Sequence, residues 1–249
     1  MLACLLTCLL PWQDPAPAPK AEQKPPAVAP PRVVVELDDR TAREVSKELA
    51  MALRGTASMA EKSRALDKVA DRSHERLLKP LAELVEKDKS VTLRKRAAEL
   101  LRHQPVDAAN AVIRKLLGNR RVQSHPGVMA ELVRSLSHRG YTARQWGEIA
   151  DLFMQGYEPE RVPLQEALLD LITQHAEKQA VELLLQNLDE PAPEDEHDPA
   201  NPPAEYWEAR WKAWATWKDK VKEALFAITG QRFSTAAEAR AWLAKNPLR

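Results

Sequence analysis

Between Arg40 and Glu190, nine helix-length stretches follow one another, each with apolar residues at i, i+3, i+4 and i+7. No feature limits the fold more than this. An amphipathic helix of that length cannot bury its stripe alone. Short connections send each helix back alongside the one before it. The stretches are 40–55, 58–72, 73–89, 90–104, 105–119, 126–140, 142–156, 162–176 and 177–190. Gly55, Gly140 and Gly156 close three of them, Ser73 is a candidate N-cap, and Pro105 stands at a first turn. Pro80 is expected to bend or split its helix. The 249 residues include only seven glycines, which also favours helix. Only "RVVVEL" (32–37) reads as a strand, and it is short. The expected fold class is all-α.

Paired helices suggest a repeat. "LRKRAAELLRHQPVDAANAVIRKLLGN" begins at Leu93, and "VPLQEALLDLITQHAEKQAVELLLQNL" begins at Val162. In register, Ala98 matches Ala167, Leu100 matches Leu169 and Val112 matches Val181. Leu132 and Val133 take the corresponding helix face at half that spacing. Four helix pairs follow: 58–89, 90–119, 126–156 and 162–190. The Leu93 segment resembles a HEAT repeat, whose first helix carries a small Ala-Ala pair where helices cross closely. Ala97 and Ala98 stand at that place. The resemblance spans roughly 58–190 and implies a short α-solenoid of antiparallel helix pairs, each burying its neighbour's face.

Beyond the repeats, composition divides the chain. Residues 1–12, "MLACLLTCLLPW", form an uncharged apolar leader, too short to span a bilayer as a helix. A proline-rich disordered spacer is expected over 13–37, then the helical repeats over 38–190. An acidic proline-rich linker covers 191–205 and a Trp-rich helical hairpin 206–249. The leader predicts export to the periplasm or cell envelope. "LLTC" (5–8) resembles a lipoprotein lipobox and makes Cys8 a candidate for lipidation, the one membrane attachment expected. Cys4 and Cys8 are the only cysteines, so the mature chain has no disulfide and no thiolate chemistry.

The hairpin opens with "YWEARWKAWATWKDKVKEAL" from Tyr206, which holds four of the chain's seven tryptophans. Trp207, Trp211, Trp214 and Trp217 share one helix face with Val221, Leu225 and Ile228. The stripe is therefore a packing or partner surface, and most of its indoles are expected against the protein's own helices. Gly230 is expected to end the helix, and Ser234 or Thr235 to cap a last one. Leu225, Ile228, Thr229, Gly230, Phe233, Trp242 and Asn246 resemble the tail of exported HEAT-repeat proteins of environmental bacteria, planctomycetes in particular. Where that family often has Trp, this chain has Ala239 and Leu243.

Catalytic signatures are missing. No serine lies in GxSxG, no Gly-rich loop precedes a helix, and no histidines form HExxH. No cofactor or metal is expected. Charge is uneven, although the net is only +1. Residues 91–144 carry eleven Lys/Arg against three Asp/Glu, and 151–205 carry two against fourteen. Arg94, Arg96, Arg114, Lys115, Arg120, Arg121, Arg139 and Arg144 would line one edge of a solenoid as a basic ridge. Such a ridge suits an acidic protein, or the acidic linker folded back over it. The expected function is a monomeric, non-catalytic protein-binding module or scaffold. The alternatives are an envelope-organising role, polyanion or nucleic-acid binding through the ridge, and an enzyme with an unrecognised site. Nucleic acid fits poorly with export.

Overall fold

The computed structural model describes residues 33–248, apart from 55, 139, 194, 196 and 197. Cys8, the apolar leader and the proline-rich stretch to residue 32 lie outside the described residues. The fold is all-α. Among the described residues there are twelve α-helices and one two-residue bridge, in which β1 (Val35–Glu36) pairs in parallel with β2 (Arg72–Ser73).

Local chemistry accounts for most helix ends. Asp38 caps α1 (Asp39–Ala52), its carboxylate accepting from the amides of Arg40 and Thr41. Ser58 and Glu61 close a capping box on α2 (Met59–Asp67). Pro80 departs from expectation. A 3-10 turn over 75–77 leads into α3 (Leu78–Lys87), so Pro80 falls in the first turn. The amide it lacks would have no intrahelical partner there, and the helix is not broken. Ser73 pairs in β2, and His74 caps the turn instead, its Nδ1 accepting from Arg76.

Next come α4 (Val91–Leu100), α5 (Val106–Leu117), the single turn α6 (Arg120–Gln123) and α7 (Pro126–His138). The helix expected over 142–156 is fragmentary. One α-turn, α8 (Trp146–Ile149), lies between 3-10 turns at 143–145 and 150–152. Gly147 weakens helix there, while buried Trp146, Ile149, Leu152 and Phe153 fix the segment to the core. After α9 (Val162–His175) come α10 (Val181–Gln186), α11 (Ala204–Thr229) and α12 (Ala236–Lys245).

Helices α2, α4, α7, α9 and α11 pack in that order as a front row. Behind it α3 packs on α4 and α5, and α10 packs on α11 and α12. Side-chain ties recur between successive pairs at a near-constant separation. Ser135 Oγ donates to the Ala98 carbonyl, 37 residues away, at 2.8 Å. Ser137 Oγ donates to Gln174 Oε1, again 37 residues away, at 2.9 Å. The equal offsets place α7 against α4, and α9 against α7, at the same sequence spacing. Gln145 donates to Asn110 at 2.8 Å, and buried Gln104 bridges the His74 amide and the Arg72 carbonyl. Ala97 and Ala98 are fully buried, which lets neighbouring backbones approach. Gly140 is required where it stands. Its φ is +85°, and a Cβ there would meet Val106 Cγ1 at 2.6 Å.

The tail is integral to this packing. The described residues from Val33 onward form one unit, with α11 along α9 and α12 against α10. Gly230 ends α11 at φ +71°, and Thr235 caps α12 by accepting from the Glu238 amide at 3.2 Å. Asp189, at the edge of the acidic segment, accepts from the Ala236 amide at 3.0 Å and adds a charge at the same helix start.

Candidate docking surfaces

The basic stretch divides once its side chains are placed. Arg94 is buried, so it cannot belong to an exposed ridge. Its Nε donates to the Val85 carbonyl at 2.6 Å and its guanidinium to the Arg121 carbonyl at 3.1 Å, tying α4 to α3 and α6. Burial lowers its pKa, with Asp88 acting the other way. Arg96 is paired with Asp67. Arg114 grips Glu148 of the next pair, its Nε at 2.7 Å, which raises the arginine pKa and lowers that of the carboxylate. These three cations serve the fold because each meets a carboxylate or carbonyl from an adjacent element. Arg139 lies outside the described residues.

Four ridge residues remain. Lys115, Arg120, Arg121 and Arg144 are exposed and form no ion pair among the described residues. Three of them flank the turn at Gly118 and Asn119, where α5 ends and α6 begins. The described acids at 189–198 are placed elsewhere. Asp189, Glu190, Asp195 and Asp198 instead line a cleft of about 730 Å³ with Trp207, Arg210 and Arg240.

The tryptophan stripe is also divided. Trp217 is fully buried, donates to Gln165 Oε1 at 3.2 Å and meets Phe153 edge-on at 5.2 Å. Trp207 and Trp214 are half-buried, and Trp211 is 46% exposed, with its indole N–H on Glu190. Only one of the four indoles is thus sealed, fewer than the wheel predicts. The buried face runs through Ala213, Trp217, Val221, Ala224 and Leu225, rotated from the face that holds Trp211. Arg210 lies over the Tyr157 and Trp207 rings at 5.6 and 5.5 Å. Burial pushes the Tyr157 hydroxyl up to about 12, against the pull of Arg210.

One further polar cluster joins the ends of α7 and α9. Tyr141 donates to buried Glu177 at 2.5 Å, and burial with that bond raises the tyrosine pKa far above its usual range. His175 Nε2 lies 2.9 Å from the Ser137 carbonyl and 3.3 Å from its hydroxyl. Donation to the carbonyl keeps that nitrogen from acting as a base on the hydroxyl. Glu177 also caps the turn at 178–180. The cluster's hydrogen bonds are spent within the fold. Among the described residues no group of three or more His, Cys, Asp or Glu is placed to hold a metal ion. No described helix is long and apolar enough to cross a membrane.

Compared with protein-family models, curated proteins and solved structures, the chain matches none.

Proposed function

We propose that this chain is a non-catalytic docking scaffold, a HEAT-like row of helices whose basic turn receives an acidic segment of a partner protein. One observation carries the reading: Lys115, Arg120, Arg121 and Arg144 are exposed and have no ion pair among the described residues, while neighbouring Arg96 and Arg114 each hold a carboxylate. Unneutralised charge of one sign steers a complementary partner and sets the rate of encounter. The sequential packing of α2, α4, α7, α9 and α11 and the ties that recur 37 residues apart support the HEAT-like arrangement. Placement in the cell envelope rests on the apolar leader with Cys8, and cell fractionation tests it.

The test is a charge reversal that leaves the core alone. A variant with Lys115→Glu, Arg120→Glu and Arg121→Glu should keep its unfolding midpoint, since these side chains are exposed. It should lose any partner that the parent chain captures and releases with salt. Equal retention of that partner would remove the turn from the interface.

A further inference from the structure

A second basic surface lies on α1 and α3, outside the stretch that sequence composition marks as basic. A groove of about 580 Å³ runs between the two helices. Arg43 and Lys47, four residues apart on one face of α1, line one wall, and Arg54 borders it just past the helix end. Arg76 and Lys79 line the opposite wall. Glu75 and Glu83 also border the groove, leaving five cations against two carboxylates. Arg76 is held by Asp39 at 3.4 Å. Arg43, Lys47, Arg54 and Lys79 have no ion pair among the described residues and are exposed. Like charges facing each other across a concavity repel, and the low-dielectric walls concentrate their field. An anion in the groove relieves that repulsion.

We infer that this groove binds an extended, carboxylate-rich peptide segment of a partner protein. The dimensions fit. From Arg43 to Ala52, where α1 ends, the wall runs about 14 Å at the helical rise, which is about four residues of extended chain. The lining disfavours nucleic acid, because no aromatic side chain borders the groove to stack a base. Glu75 and Glu83 would repel a continuous phosphate backbone, whereas a peptide can place a neutral or basic residue beside them. The site is distinct from the α5–α6 turn, so the two stand or fall separately.

The probe is a fluorescent oligo-glutamate peptide, titrated into the full chain with anisotropy as the readout. Arg43→Glu with Lys47→Glu should weaken binding tenfold or more, and Arg43→Gln with Lys47→Gln should weaken it by less. The triple reversal at Lys115, Arg120 and Arg121 should change it less than twofold. Affinity should fall with added salt, and circular dichroism should show each variant folded. Three outcomes overturn the assignment: no measurable binding, loss only in the α5–α6 variant, or tighter binding of an oligodeoxythymidylate of equal charge.

Discussion

The two halves of α11 carry the same residue type along neighbouring faces and meet different fates. Toward its C-terminal half, Trp217, Val221, Ala224 and Leu225 are sealed against the protein. In the N-terminal half, Trp207 and Trp214 are half-buried and Trp211 is exposed. Length and register explain the difference. Trp217 bonds to Gln165 and Lys220 to Asp170, so α11 runs parallel to α9 and passes its first residue, Val162, near Trp214. The 14 residues of α9 span about 21 Å and the 26 of α11 about 39 Å. The first turns of α11 therefore overhang their neighbour. What meets them is Tyr157, Pro159 and the acidic segment. The indole N–H groups of Trp207 and Trp214 are buried without an acceptor there, unlike that of Trp217. Tryptophan spacing alone does not decide burial; the length of the neighbouring helix does.

The largest expected effect falls at the sealed end. Trp217→Ala should cost about 4 kcal/mol in denaturant unfolding, the loss of a large buried side chain plus its cavity. A cost below that of Trp211→Ala would reverse the comparison. Gln165→Ala should cost about 2 kcal/mol, because it strands the Trp217 indole together with the Phe153 and Gly156 carbonyls. Calorimetry of the double variant with Trp217→Phe should show coupling, since one bond is shared.

Effects should be smaller at the open end. Arg210→Ala should cost about 1 kcal/mol or less, the scale of its ring contacts. Trp211→Ala should cost under about 0.5 kcal/mol by the same measurement, as at an exposed site. The Tyr157 hydroxyl supplies a pH signature. Its folded pKa, about 12, lies above the unfolded value, so its contribution is complete below that value and falls as pH rises through the window between them. Tyr157→Phe should remove that part of the alkaline loss of stability and the matching step in a tyrosine absorbance titration. Arg210→Ala should shift the step upward, because Arg210 lowers this pKa.

Legibility followed locality. Capping at Thr235 and the Gly230 stop are fixed within a few residues of chain, and each follows from its own short motif. The Pro80 expectation failed because helix phase, not proline itself, decides whether a missing amide matters. The basic ridge was legible as composition only. Nothing near Arg94 or Arg114 in the chain announces the Val85 carbonyl or Glu148, because those partners arrive through packing. The α1–α3 groove was invisible for the same reason, its walls lying some thirty residues apart, as Ser46 and its acceptor at Arg76 do. Its cations are interleaved with acids along the chain, so no window of sequence looks basic.

Sequence alone determined that this chain is helical, where most of its helices begin, and which faces are apolar. Those properties depend on backbone propensity, capping and a 3.6-residue period, all local. Tertiary structure decided which arginines are spent in the fold, which indoles are sealed and where unpaired charge gathers. Each of those outcomes depends on the length, register or polar groups of a neighbouring element, which packing and not chain order supplies.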